Sequence, residues 1–281
     1  MKIIVFIPFF LLANIIFSPS YGQNQIDVTY IANSGFLIES NGKQVLIDAL
    51  FENGWDSYLT PADSIVSDII KQQDPFNNST LMLITHNHGD HFNSSMVVAY
   101  LKSNSENTLI APSKVTNEIL KHPDYKKVEN QIVQLDKINQ EKNDTTIEGI
   151  RVRSFFIQHD SRPQIENVGF LINIDNLKVF HTGDYNGSEI IEFEKLQLKN
   201  KNIDLALLNF YGFWNTTAER EFTEKYINPK KIVLMHIPPA ETGIVKNSVN
   251  QITDFIDIAV FESSMEKKSF IHFKTSNDFG L

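Results

Sequence analysis

Apolar and polar positions alternate from Ile26 to Ile31, and Gly35-Phe-Leu-Ile-Glu39 leads through Asn41-Gly42 into Val45-Leu-Ile-Asp48. Asn-Gly between two apolar runs predicts a tight hairpin, because both residues tolerate the left-handed backbone that such a turn needs. Thr60-Pro61 then opens a predicted helix carrying Ile65, Ile69 and Ile70, with proline at its first position. Leu81-Met-Leu-Ile84 is wholly apolar, as expected of a buried strand. It runs into Thr85-His-Asn-His-Gly-Asp-His-Phe92 and a predicted helix from Ser94 to Leu101. Leu109-Ile-Ala precedes a second helix over Val115–Leu120. After Gln131–Leu135, strands are expected over Thr146–Gln158, Val168–Ile174 and, past a turn at Asp175-Asn176, Leu177–Phe180.

The last third alternates between the two periods. A strand over Ile203–Leu208 is followed by Thr216-x-x-Glu219, the pattern of a capping box at a helix start. Ile232–Met235 reads as a strand, Ser248–Ala259 as an amphipathic helix and Ser269–Phe273 as a closing strand. Two strand-rich halves with helices attached predict two sheets packed together and flanked by helices, in one α/β domain. No internal repeat, heptad pattern or Pro/Ser-rich linker divides it.

The N-terminal segment has a different pattern. Lys2 is followed by an apolar run from Ile3 to Phe17 and then by small residues at Ser20 and Gly22. This fits a secretory signal over residues 1–22, cut before Gln23, and predicts an exported chain, periplasmic or secreted, whose folded domain is 23–281. As a helix the run spans roughly 22 Å, against ~30 Å of bilayer hydrocarbon, so no stable membrane anchor is expected after cleavage. An uncleaved anchor is the alternative.

Composition narrows the chemistry. Of 281 residues, 25 are Lys or Arg and 34 Asp or Glu, a formal net charge of −9. An acidic chain lacks the basic footprint of a nucleic-acid binder, which points to a small-molecule substrate. Cysteine is absent, which excludes disulfides, thiolate metal sites and a cysteine nucleophile. No Gly-x-Ser-x-Gly element is present either, so a serine hydrolase of that type is not a competing account.

Histidine and aspartate instead gather where strands end. His86, His88, Asp90 and His91 follow the apolar run 81–84. His159 ends Phe155-Phe-Ile-Gln, His181 ends Val179-Phe, and His236 ends Val233-Leu-Met, with Asp48 and Asp184 in equivalent positions. Loops at strand ends are where a rigid scaffold presents functional groups, and imidazole and carboxylate suit borderline divalent cations. In His86-x-His88-x-Asp90-His91 the alternate histidines can face one cation while Asp90 and His91 face a second. Four ligands in six residues cannot close two coordination shells, so His159, Asp184 and His236 are the candidates for the rest. Asp160 is an alternative to His159. His181 can hydrogen-bond a ligand or the substrate, or merely fill space. His122 is expected at the surface and His272 in a structural role. The aromatics of Leu208-Asn-Phe-Tyr-Gly-Phe-Trp214 either rim a pocket or pack a core, and Arg162 is either solvated or placed to contact an anion.

These elements, in this order, resemble the metallo-β-lactamase superfamily across nearly the whole chain after residue 22. Thr85-His-Asn-His-Gly-Asp-His91 is similar to its signature, Val45-Leu-Ile-Asp48 to its early strand ending in aspartate, Phe180-His-Thr-Gly-Asp184 to its Gly-Asp element and Met235-His236 to its final histidine. Asn-Ser-Gly-Phe-Leu-Ile-Glu39 and Asn-Val-Gly-Phe-Leu-Ile172 are nearest in texture to the lactonase-like metal-dependent hydrolases of that superfamily. The resemblance implies a four-layer αββα sandwich with two divalent ions, Zn2+ first and Mn2+ or Fe2+ as alternatives, at one edge of the sheets. It implies that His86, His88 and His159 hold one ion, that Asp90, His91 and His236 hold the other, that Asp184 bridges both, and that Asp48 orients a ligand histidine. Two such ions make hydroxide from a bridging water near neutral pH and polarise the bond that breaks. Asp90 and His181 are the candidate catalytic residues, Asp90 by orienting the attacking water. The implied reaction is hydrolysis of an ester, lactone, amide or phosphodiester. A single-iron sulfur dioxygenase and a non-catalytic metal-binding or sensing protein are the alternatives on the same scaffold.

Overall fold

A computed structural model of the chain describes residues 24–138, 143–160, 164–185, 190–251 and 257–272. The proposed signal segment, Arg162 and the tail after His272 lie outside the described residues. Within them no helix is long and apolar enough to cross a membrane.

The first half of the chain supplies β1 (Asn24–Ala32), β2 (Gly35–Ser40), β3 (Lys43–Ile47), β4 (Leu81–Leu83), β5 (Thr108–Ala111) and β6 (Ile132–Gln134). With β14 (Lys267–His272) from the far end of the chain they form a seven-stranded sheet in the order β14-β1-β2-β3-β4-β5-β6. The second sheet contains β7 (Asp144–Ile147), β8 (Ile150–Gln158), β9 (Glu166–Ile174), β10 (Leu177–His181), β11 (Leu205–Asn209), β12 (Lys231–Met235) and β13 (Asp257–Val260), ordered β13-β12-β11-β10-β9-β8-β7. Their facing sides share one core, in which Phe36, Ile47 and Leu83 meet Phe170, Val179, Leu207 and Val233. A second core lies between the first sheet and helices α1 (Asp63–Ile70), α2 (Ser94–Ser103) and α3 (Ser113–Ile119). Beyond the short α4 (Tyr125–Val128), a third lies between the second sheet and α5 (Ile190–Leu196), α6 (Phe210–Phe213), α7 (Thr217–Tyr226) and α8 (Pro239–Asn250). The result is the expected helix–sheet–sheet–helix arrangement in one domain.

Local chemistry explains several boundaries. The β2–β3 hairpin turns on Asn41 and Gly42, both at positive φ (46° and 78°), and α7 starts with the Thr216/Glu219 capping box complete. Three expectations need correcting. The continuous strand expected over Thr146–Gln158 is a hairpin, turned at Glu148 and Gly149, which both adopt positive φ (48° and 76°). The helix expected from Thr60 starts two residues beyond Pro61, at Asp63. The helix expected over Ser248–Ala259 instead runs from Pro239 to Asn250, fixed at its start by Pro238-Pro239 and buried through Val245 and Val249. Asp257–Val260 is the edge strand β13, because it pairs in parallel with β12 and buries Val260.

Candidate metal centre

Parallel pairing brings the functional strand ends to one edge. In the first sheet β3 and β4 run in parallel, so Asp48 and the His86–His91 loop leave at the same end. In the second sheet β10, β11 and β12 are parallel, and β8 is antiparallel to β9, which is antiparallel to β10. His159, Asp184 and His236 therefore emerge at one end as well. There the imidazole nitrogens and carboxylate oxygens assemble into two groups, His86, His88, His159 and Asp184 in one and Asp90, His91 and His236 in the other, with the ligand atoms of each group within 4.8 Å of one another.

Asp184 lies between the groups. Its Oδ2 is 3.0 Å from His159 Nε2 and 3.4 Å from His236 Nε2. Asn209 Nδ2 donates to its Oδ1, and its own N–H donates to Asn167 Oδ1 at 3.1 Å. Asn167 Nδ2 also donates to the Thr182 carbonyl at 3.1 Å, so one amide clamps both sides of the turn that aims Asp184. That turn requires Gly183: its φ is +61°, and a Cβ there would sit 2.2 Å from Asn167 Oδ1.

The ligand histidines are fixed from behind. Asp48 is fully buried and accepts from the Thr85 N–H at 2.8 Å and the Thr85 hydroxyl at 2.6 Å, and His91 Nδ1 lies 2.8 Å from its Oδ2. A carboxylate only accepts, so His91 carries its proton on Nδ1 and turns Nε2 inward. The Thr85 hydroxyl, having given its proton to Asp48, accepts at 3.0 Å from His86 Nδ1, which likewise frees His86 Nε2. Asn33 donates to Asp90 Oδ2 at 3.0 Å and to the Asp90 carbonyl at 3.2 Å. Asp160 places Oδ2 3.2 Å from His159 Nδ1, so His159 faces the cluster and Asp160 stands behind it.

A divalent cation fits this donor set on observable grounds. His86 Nε2, His91 Nε2 and Asp90 Oδ1 are buried without a hydrogen-bond partner, which is costly unless something else fills the role. Burial, reinforced by His91 and His159, holds His86 well below its ordinary range, and burial with His159 brings His88 to about 4; both are neutral imidazoles. Burial alone would lower His91 too, but Asp48 and Asp90 outweigh it and push it up to about 9, so the site calls for positive charge where a cation would sit. Burial opposes the ionisation of Asp90 and Asp184, yet their neighbours win: His91 and His236 keep Asp90 below the ordinary carboxylate range, and His236 and His159 keep Asp184 there.

His181 departs from the catalytic role expected of it. It is fully buried, its Nε2 faces the Ser34 carbonyl at 3.0 Å, and its Nδ1 accepts from the Gly183 N–H at 3.0 Å. Both nitrogens are engaged away from the cluster. Of the aromatics after β11, Phe210, Phe213 and Trp214 are core, and the half-buried Tyr211 donates its hydroxyl to Glu241. His122 is half-buried and closes its own turn, accepting from the Asp124 N–H at 3.1 Å. Residues 210–213 and 239–243 are helical, in α6 and the start of α8.

Residues 51–59 border the cluster. Their backbone is tied to the ligand loop by Asn53 N–H to the Gly89 carbonyl at 3.3 Å. The Trp55 ring, 51% exposed, lies 5.5 Å from that of His88, and the half-buried Tyr58 packs 4.2 Å from the His236 ring. Burial and the nearby Asp184 and Asp90 push the Tyr58 phenol upward, so it stays a hydrogen-bond donor. Asn33, Asn167, Asn209 and Tyr58 escaped the sequence reasoning because no spacing rule distinguishes them from ordinary polar loop residues.

Residues 43–243 match the family model described as the β-lactamase superfamily domain. Two similar relatives are described as metal-dependent hydrolases. One, from Thermococcus kodakarensis, is 24% identical over 75% of this chain and 84% of its own, and the other, from Pyrococcus horikoshii, is 27% identical over the same shares. Among solved structures, the metallo hydrolase Igni18 of Ignicoccus hospitalis superposes with a TM-score of 0.58 at 18% identity, covering 89% of this chain and all of that one.

Proposed function

Because the chain belongs to the metallo-β-lactamase superfamily, we propose that it is an exported, dinuclear metal-dependent hydrolase of a small molecule, cleaving an ester, lactone, amide or phosphodiester. The observation that carries this reading is the Asp184 carboxylate, whose Oδ2 faces His159 of one ligand group and His236 of the other. Two divalent ions, Zn2+ or, with the same donors, Mn2+ or Fe2+, supply a water acidified to the neutral range and a Lewis acid for the oxygen of the bond that breaks.

The chain's own residues do the rest. Asn33 occupies Asp90 Oδ2 and leaves Oδ1 as an acceptor that orients the attacking water. Asn209 and Asn167 hold Asp184 in place. Tyr58, protonated and beside His236, is placed to donate to a substrate oxygen as charge builds there. The complete ligand set separates this reading from a metal-binding module that has lost its catalytic residues.

Elemental analysis of the purified protein, wild type beside Asp184→Ala, tests the metal count. The expected result is close to two metals in the wild type and fewer in the variant. One iron per chain, unmoved by the substitution, would favour the mononuclear dioxygenase, and no retained metal after reconstitution would remove the catalytic assignment. A panel of lactones, aryl esters and phosphodiesters, each with a chelator control, then selects the bond type. Cleavage before Gln23, read by N-terminal sequencing of the exported chain, tests the location.

A further inference from the structure

At the opposite ends of the strands that carry His159 and Asp184, the structure holds a second polar concavity. Arg151 and Arg153 from β8, Asn173 from β9, Lys178 from β10, and Asn200 and Lys201 from the 3-10 turn Leu198–Lys201 line a cavity of about 280 Å3. The register puts the strand residues on one face, with Arg151 opposite Asn173 and Asn173 opposite Lys178. In an acidic protein four cations converge here, with Asp144 as a partial counter-charge. Asp144 is taken up in a bidentate pair with Arg151, through Nε and Nη2 at 2.7 Å each. Asp204 accepts from Lys230 and from the Lys178 backbone N–H, both at 2.8 Å. Among the described residues neither Arg153 nor Lys201 has an ion-pair partner; both lean on the Phe155 ring, at 5.4 and 6.0 Å. Lys178 Nζ is anchored on the Lys201 carbonyl at 2.6 Å, which holds its ammonium against the 3-10 turn. Burial and the neighbouring Arg153 and Lys178 depress the Lys201 ammonium, the mark of cations held together against their preference.

We propose that this cavity is a binding site for a small molecule carrying two phosphate-type groups. Arg guanidinium planes bind such oxygens bidentately, Lys adds point charge, and the two asparagine amides supply neutral donors for the remaining oxygens. The volume suits a bisphosphorylated metabolite. Six residues of β8, about 20 Å of strand, separate Arg153 from His159, so the site is distinct from the metal centre and stands whether or not the hydrolase reading holds.

Calorimetric titration of the full, metal-loaded protein with fructose 1,6-bisphosphate at low ionic strength tests the site, with glucose 6-phosphate as the single-phosphate arm. The expected result is saturable binding below millimolar concentration, at least fivefold weaker for the monophosphate. Arg153→Gln combined with Lys201→Gln should weaken the bisphosphate at least tenfold. Asp144→Asn, which frees Arg151, should tighten it severalfold, a gain that misfolding does not produce. No saturable binding, equal affinity for the two sugars, or a double variant that binds as the wild type does overturns the proposal; the last would assign the heat to the metal centre. If the double variant loses both binding and its thermal transition, Asp144→Asn decides: tighter binding supports the site and unchanged binding overturns it.

Discussion

Asp48 shows how much of this centre depends on a side chain that is not itself a ligand. Its two oxygens accept from the Thr85 amide, the Thr85 hydroxyl and His91, which fixes the protonation pattern of His91 directly and that of His86 through Thr85. Asp48→Asn replaces one acceptor with an NH2 that faces a donor whichever way the amide is turned. Metal affinity is therefore expected to fall by about 10–100-fold, measured by competition with a chromophoric chelator, and an affinity within twofold of wild type would show that Asp48 does not orient the ligands. Tyr58→Phe removes only the hydroxyl beside His236. It should leave metal content intact while lowering kcat about 100-fold if the phenol donates in the transition state, whereas a change confined to KM would limit Tyr58 to binding. His181 gives a pH signature of its own. Donating to Ser34 and accepting from Gly183, it is neutral in the fold, and burial lowers it to about 4 from the ordinary 6.5. Between those values the unfolded chain binds a proton that the folded chain refuses, so stability falls as pH drops from 6.5 to 4 and this contribution levels off below 4. Urea unfolding of His181→Gln should show a lower stability at pH 7 and a slope shallower by up to ~1.4 kcal/mol per pH unit across that window; parallel curves would reject the assignment.

Among the elements, the turn Thr182–Asp184 carries the tightest constraint. Gly183→Ala places a methyl where Asn167 Oδ1 stands and demands a left-handed backbone from a residue with a Cβ. Relief by moving Asn167 would release the amide that positions Asp184. Elemental analysis should find the variant short of metal, with activity reduced more than stability; full metal occupancy would mean the turn tolerates the shift. The same element shows what the sequence carried and what it did not. Gly-Asp in Phe180-His-Thr-Gly-Asp184 was legible because the glycine serves a local backbone need, and His86-x-His88-x-Asp90-His91 because six consecutive positions hold four ligating side chains. The Thr216/Glu219 capping box was legible for the same reason: its partners lie within one helical turn. The Asn167 clamp was not, since its partners are 15 and 17 residues away and only strand pairing brings them together. The helix expected over 248–259 went astray for a related reason. An apolar spacing near a chain end fits either period, and β13 is decided by its pairing with β12, a tertiary fact. His181 showed the limit from the other side: a histidine after a strand, beside ligands, that the fold uses for its own hydrogen bonds.

At the scale of the whole molecule, the candidate ions would join two sheets that pack through their apolar inner faces and through polar contacts such as His181 to the Ser34 carbonyl and Lys43 to Asp175. The loop after β4 of the first sheet supplies His86, His88, Asp90 and His91, and strands β8, β10 and β12 of the second lead to His159, Asp184 and His236. Without cations, this edge buries Asp90 and Asp184, kept below the ordinary carboxylate range, among imidazoles of which His86 and His88 stay neutral and His91, pushed up to about 9, supplies part of the balancing positive charge. Metal that binds only the folded state stabilises it by RT ln(1 + [L]/Kd), ~4 kcal/mol at a thousandfold excess over Kd. For a domain of this size each kcal/mol moves Tm by about 2–4 °C, so a strong chelator should lower Tm by roughly 8–16 °C and added Zn2+ or Mn2+ should restore it. In Asp184→Ala, whose sites no longer share a ligand, the chelator-induced drop should shrink to less than half. Were Tm indifferent to the chelator while hydrolysis was abolished, the metals would serve chemistry alone, and the inter-sheet core around Phe36, Phe170 and Val233 would suffice to hold the sandwich closed.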